Sequence, residues 1–443
     1  MARPMKVITG ACACLILLGG GSAPARANPV DTEVDSAYPD ANALYLDLHQ
    51  HPELSSHEQR TAEKLAGTLR SLGFEVTTHV GGTGVVGVLR NGDHPVVLLR
   101  TEMDALPVEE NTGLPYASKV RVKDDSGIDV GVAHACGHDV HMAAAMATAR
   151  IMARSRDRWH GTLVVIGQPA EEYGDGAAAM LADGLFSRFP RPDYALAVHD
   201  DARYPAGTIG YNVGPVLASD DIVTATIYGR TGHGARPETA VDPIVIAART
   251  VLALQTIVAR EVSPLDSAVI TVGSIHGGNR PNIIPSEVKL EMTVRAMREP
   301  VRQHLLSAID RIVKAEAVAG DAPKPPLVQR SEPAEGVTND PALVSRIVPA
   351  LKRELGNRVQ EIQPEMVSED FSDFARAGVP ILFLRIGAVR QSVFDAAMKP
   401  GGAPLVSLHS AQFAPDPEPT IKAAVAAELV AIRELLPSKP TKP

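Results

Sequence analysis

Cysteine and histidine stand two residues apart in His134-Ala135-Cys136-Gly137-His138-Asp139. With residues 1–27 set aside, Cys136 is the sole cysteine, so it has no partner for an internal disulfide. It is either a reactive thiol or a metal ligand. A thiolate and an imidazole at this spacing, beside a carboxylate, suit Zn²⁺ and similar borderline-soft metals. Further ligands elsewhere in the chain decide between the two readings.

Four other segments offer them. Val96 to Arg100 runs into Glu102-Met103-Asp104, and Leu163 to Gly167 runs into Glu171-Glu172. Tyr194 to Val198 ends in His199-Asp200-Asp201, and His409 stands near the C-terminus. Each has a plainer reading. A lone His199 or His409 is more often a hydrogen-bonded structural residue. The Glu171-Glu172 pair could be solvated surface, Asp104 a turn residue and Asp139 a helix N-cap. His134 and His141 are spare histidines, expected to support the ligands from behind or to pack. Together, the segments favour a metal site.

These residues need elements to hold them. Val96 to Arg100, Leu163 to Gly167, Tyr194 to Val198 and Ile381 to Leu384 read as buried strands. Asp40 to Leu72 is helical with a break near Pro52, and Met142 to Arg154 and Ala177 to Phe186 are helical too. Such alternation predicts an α/β fold on a mixed, largely parallel sheet flanked by helices, with sites beyond the carboxyl ends of strands. The middle differs. Asp221 to Tyr228, Ser267 to Ile275 and Val288 to Met297 are strand-like; Val241 to Glu261 and Val301 to Ala319 are helical. That order predicts a small inserted α+β, ferredoxin-like domain. Pro-rich text at Ala322 to Pro326 and Glu332-Pro333 marks its exit. The expected division is a leader over 1–27, a discontinuous catalytic domain over 28–216 and 330–443, and a lid over 217–329.

Composition is that of a globular chain: 45% hydrophobic and 21% charged. The formal charge of −9 becomes −12 without Arg3, Lys6 and Arg26 of the leader. An acidic balance argues against nucleic acid or anionic membrane as a partner. Arg3 and Lys6, the apolar run Val7 to Leu18 and Ala25-Arg26-Ala27 form a secretory-signal pattern. A periplasmic or secreted mature protein is expected, with no stable membrane insertion after cleavage. No stretch after the leader approaches a membrane-spanning helix.

Several ordered blocks carry a family resemblance from Leu48-His49-Gln50-His51-Pro52-Glu53 to Leu408-His409-Ser410. They include the block around Cys136, Gln168-Pro169-Ala170-Glu171-Glu172 and Gly232-His233-Gly234-Ala235-Arg236-Pro237. Asn282-Ile283-Ile284-Pro285 and Ser368-Glu369-Asp370-Phe371 complete them. The chain resembles the metal-dependent amidohydrolases and exopeptidases of the aminoacylase and carboxypeptidase G type, nearest the hippurate hydrolase and indole-acetyl-amino-acid hydrolase branch. The resemblance implies that Cys136, His138, Glu172, His199 and His409 hold one or two divalent ions (Zn, Mn, Co or Ni). It implies Glu171 as general base, facing away from Glu172, and Asp104 orienting a ligand from behind. His233 would stabilise the oxyanion, often across a homodimer formed by the lid, and Asn282 and Arg295 would bind substrate. Hydrolysis of small N-acyl amino acids is the implied activity, with dipeptides as the alternative substrate. A non-catalytic solute-binding protein is the reading from a different class.

Two departures stand out. Glu102 replaces the Asp usual in that branch, a position matched by a metal-site His in other relatives. His199-Asp200-Asp201 is unusually acidic, which reads as a solvated loop.

Overall fold

The computed structural model describes residues 28–331 and 334–438. The expected leader and the Glu332-Pro333 linker text lie outside them. The first helix, α1 (Pro29–Gln50), starts well before Asp40 and runs through Pro39. Its start is set by Asn28, whose side chain accepts from the Val30 N–H at 3.0 Å, and by proline at the first helical position. Helix α2 spans Gln59–Ser71. Strands β1 (Glu75–Thr78), β2 (Val85–Arg90) and β3 (Val96–Glu102) follow. Helix α3 (His138–Arg154), β4 (Thr162–Gln168), β5 (Tyr194–Pro205) and β6 (Ile209–Tyr211) complete this part. The helical text at Ala177 to Phe186 is split by Gly184, which adopts φ +87°.

The middle runs β7 (Asp221–Tyr228), α4 (Pro243–Arg260), β8 (Ala268–His276), β9 (Glu287–Ala296), α5 (Glu299–Ala319) and β10 (Leu327–Arg330). Its sheet is antiparallel in the order β8-β9-β7-β10, a β-α-β-β-α-β unit with its own hydrophobic core. Strand β10 lies between the two Pro-rich stretches expected to mark the exit and continues the sheet one residue past the expected boundary at 329. By length and composition α4 could cross a membrane, contrary to the expectation that no such stretch follows the leader. One stripe of it, Ile246, Ala247, Leu254 and Ile257, packs into the small core, while Ile244, Val245 and Leu252 remain exposed.

The chain then returns through α6 (Pro341–Leu355), β11 (Val359–Glu361), β12 (Ile381–Val389) and α7 (Pro417–Leu435). The main sheet has the order β1-β2-β4-β3-β5-β12-β6-β11. Its centre, β4-β3-β5-β12, is parallel. Strands β3 and β4 are buried along their whole length, as expected where both sheet faces are covered. Helices α1, α3 and α7 pack on one face and a second core fills the other. The outgoing and returning chains between the two domains pair with each other: Gly214 lies opposite Asn339, and Pro215 opposite Thr338.

Candidate metal centre and active site

Helix α3 begins inside the site. Gly137 precedes it with φ +81°, and a Cβ there would sit 2.2 Å from the Asp200 carboxylate. Only glycine fits both constraints. This turn sets Cys136 and His138 at the carboxyl ends of β3 and β5. Asp139 lies in the first turn rather than at the N-cap, and its Oδ2 is 2.7 Å from His49 Nδ1.

The five expected ligands converge. The Cys136 Sγ lies 3.5 Å from His199 Nε2 and 3.2 Å from His409 Nε2. Glu172 Oε2 is 3.5 Å from His409 Nε2, and Glu172 Oε1 is 3.9 Å from His138 Nε2. Each buried imidazole is tied through its other nitrogen. His138 Nδ1 donates to the Asp104 carbonyl at 2.8 Å, and His199 Nδ1 to the Asp200 carbonyl at 2.8 Å. Both Nε2 lone pairs therefore face the cluster. His409 reaches it from a left-handed residue, φ +63°, anchored by its N–H on the Ala135 carbonyl at 2.8 Å.

A divalent ion fits this donor set. His138 Nε2 and Glu172 Oε1 are buried without a hydrogen-bond partner among the described residues, and such atoms need one. Cys136, Glu172 and His409 form one candidate group, and Cys136, His138 and His199 an adjoining one. Burial disfavours a charged His138, yet the Asp104 hydrogen bond and the charges of Glu102, Asp104 and Glu172 raise its pKa to about 10. A site that holds a proton so firmly attracts cations. Burial, with Glu172, Glu171 and Asp200 nearby, pushes the Cys136 thiol well up.

Glu171 does not face away from Glu172: its Oε2 is 3.7 Å from the same His138 Nε2. The preceding Ala170 has φ +48°, and this bend turns both carboxylates inward. Burial first, then Glu369, Glu172 and Asp370, raise Glu171 well above the usual carboxylate range, against the pull of Arg100. Asp104 is fully buried. Its Oδ2 accepts from Ser55 Oγ at 2.7 Å and the Glu172 N–H at 2.9 Å.

Three features were hidden in the sequence. His141 takes a supporting place behind the cluster, and its partners were not legible: its Nδ1 is 3.0 Å from Glu102 Oε2, and its Nε2 accepts the Asp200 N–H at 2.9 Å. Glu102 also pairs with the buried Arg100, whose guanidinium holds Glu369 at 2.6 Å and Asp370 at 2.8 Å. Asp200 and Asp201 are not a solvated loop: each is 1% exposed within β5. His134 is buried with both ring nitrogens unpartnered among the described residues, and burial lowers its pKa to about 4.

A cavity of about 330 Å³ opens onto Cys136, Glu171, Glu172, His199 and His409. His233, Asn282 and Arg295 are not among the residues that line it. His233 and Asn282 are exposed neighbours on the small domain, where the Gly234 N–H donates to the Asn282 carbonyl at 2.8 Å. Arg295 is held by Asp220 at 2.6 Å and the Met366 carbonyl at 3.0 Å.

Residues 98–397 match the model of peptidase family M20/M25/M40. The chain is 37% identical over 330 residues to hippurate hydrolase of Campylobacter jejuni, covering 74% of this chain and 82% of that protein. It is 35% identical over 333 residues to thermostable carboxypeptidase 1 of Saccharolobus solfataricus, covering 74% and 80%. The crystal structure of the Bacillus subtilis YXEP protein, described as a dinuclear metal-binding peptidase, is similar with a TM-score of 0.73 and 28% identity, covering 90% and 98%. With this ligand cluster beyond a largely parallel sheet, the chain belongs to peptidase family M20/M25/M40 and is a metal-dependent hydrolase of amide or peptide bonds.

Proposed function

We propose that the protein hydrolyses the amide bond of small N-acyl amino acids, with Glu171 as general base and Cys136, His138, Glu172, His199 and His409 as metal ligands. The observation that carries this is the buried Glu171 carboxylate beside the ligand cluster, at a cavity sized for a small acyl group. A divalent metal bound there supplies a lowered water pKa and a polarised carbonyl. Glu171 accepts the proton of the attacking water. The C–N bond breaks, and Glu171 returns that proton to the leaving nitrogen. Burial and the neighbouring carboxylates raise its pKa, which favours holding the proton between the two steps.

Asp104 fixes the His138 ring through its carbonyl. The exposed apolar residues Ile244, Val245 and Leu252 on α4 support a homodimer through the small domain. His233, outside the cavity of its own chain, would then serve the oxyanion of a second copy, with Asn282 and Arg295 on the substrate's carboxylate side. The carboxypeptidase relative supports dipeptides as the second substrate class. Export to the periplasm or medium is proposed on residues 1–27, and N-terminal sequencing of the cell-free or periplasmic protein tests it.

The deciding experiment follows metal content and hydrolysis of hippurate, N-acetyl amino acids and dipeptides before and after chelation. Acyl-amino-acid turnover that is lost on chelation and restored by Zn²⁺, Mn²⁺, Co²⁺ or Ni²⁺ is the expected result. Turnover of dipeptides alone would replace the substrate class. Bound metal without any product would leave a solute-binding protein.

A further inference from the structure

Part of the active-site cavity is walled by apolar side chains that are open to water. Val367, Leu405 and Val406 line it, with Val367 46% and Val406 40% exposed and Leu405 half-buried. Apolar surface left uncovered inside a cleft marks a place where an apolar ligand group is received.

These side chains are held differently. The Val367 carbonyl accepts the Ala218 N–H at 2.9 Å, so its backbone is fixed. Leu405 and Val406 belong to a strap, residues 403–407, with no backbone hydrogen bond among the described residues. The strap is fastened only at its ends. The Gly402 N–H donates to the Lys399 carbonyl at 2.9 Å and the His409 N–H to the Ala135 carbonyl at 2.8 Å, while Leu408 packs against Ala202 and Phe413. Val406 precedes the ligand His409 by three residues, so their Cα atoms are at most about 11 Å apart. An acyl chain of several methylenes leaving the ligand cluster spans such a distance.

The remaining lining narrows the chemistry. Phe383 is the only Phe, Tyr or Trp in it. It is 1% exposed, with its ring centroid 5.9 Å from Phe371 and 6.1 Å from His199. No open aromatic face is left for a substrate ring to stack on. The charged wall residues pair with one another: Arg385 holds Asp201 at 2.8 Å and also bonds Glu365, and Arg203 reaches Asp201 at 3.1 Å and Glu365 at 3.4 Å. Two positive against two negative leave no net charge to offset an ionised tail, which would lose its hydration here.

We infer that Leu405 and Val406 are specificity-determining residues, whose strap covers an unbranched aliphatic acyl chain longer than acetyl in preference to an aromatic ring or an ionised tail. The inference rests on the N-acyl-amino-acid reading and names the acyl group that this reading leaves open.

The test uses the full metal-loaded enzyme and a single amino acid carrying acetyl, butanoyl, hexanoyl, benzoyl or succinyl. The expected kcat/KM rises about two- to fourfold per methylene from acetyl to hexanoyl. Hexanoyl exceeds benzoyl, and butanoyl exceeds succinyl. In the double variant L405S/V406S the rise per methylene shrinks towards onefold. Neither side chain is buried, so the fold does not depend on them, and calorimetric binding of free hexanoate against acetate reads the same trend if turnover is slow. A flat wild-type series would overturn the inference, as would a preference for benzoyl over hexanoyl or for succinyl over butanoyl. A double variant that keeps the wild-type rise per methylene, even with every rate lowered, would overturn it too. In each of those cases N-acyl hydrolysis still stands; absence of turnover on every acyl substrate would instead remove the parent reading.

Discussion

His138 gives its Nδ1 proton to the main-chain carbonyl of Asp104 at 2.8 Å, while the Asp104 carboxylate approaches the same nitrogen at 3.3 Å. One residue therefore contacts the imidazole twice. The ring cannot turn without breaking the first contact, so its free Nε2 stays aimed at Glu171 and Glu172.

Asp104→Asn keeps the carbonyl but removes the charge behind the ring. Metal affinity should fall by about 10- to 100-fold. Titration of chelator-stripped protein with Zn²⁺ checks this, and unchanged affinity would remove Asp104 from the positioning role.

Glu171→Gln should separate binding from chemistry. The variant should retain its metal, while kcat falls by about 10²- to 10⁴-fold. Metal analysis and initial rates on the same sample decide it. Near-normal turnover would show that another group takes the proton.

Gly137→Ala tests the turn that opens α3. The new methyl would meet the Asp200 carboxylate at 2.2 Å in a left-handed conformation. The expected loss is about 1–3 kcal/mol of stability, together with weaker metal retention, because Cys136 and His138 flank the glycine. Thermal melts with and without metal would reveal both.

Glu428 offers a pH test away from the chemistry. Burial raises its pKa to about 8, against the Thr148 hydrogen bond. Its folded value exceeds the ordinary 4.5, so the native state binds the extra proton. Its contribution to stability is complete below that ordinary value and is lost as pH climbs towards 8. Glu428→Gln cannot ionise. Its melting temperature should gain on the wild type between pH 5.5 and 8.5, by an amount on the order of a few kcal/mol in stability. Parallel melting curves across that range would contradict this.

Leu252→Asp probes assembly. Leu252 is 72% exposed on the apolar face of α4. If the small domains pair through this face, the substitution should shift the protein from dimer to monomer in light scattering, with a loss of turnover through His233.

The convergence of the five candidate ligands was legible only in part: Glu172 follows a buried strand and His199 lies on one, whereas Cys136 and His138 stand at the start of a helix and His409 sits in a turn. The supports behind it were not. Arg100 meets Glu369 and Asp370 only after the whole small domain has been threaded between them. Asp201 reads as loop until Arg385, on a neighbouring strand, is seen to neutralise it. The inward turn of Glu171 depends on one positive φ at Ala170, which alanine does not announce. Strand β10 was hidden because its pairing with β7, not its composition, makes it a strand.

The paired segments Gly214–Pro215 and Thr338–Asn339 have a mechanical consequence. Two separate tethers would let the small domain drift and twist freely. Here the tethers are laced to each other, so bending one bends both at the same point. Any displacement of His233 and Asn282 relative to Glu171 must therefore strain this shared joint rather than one strand alone.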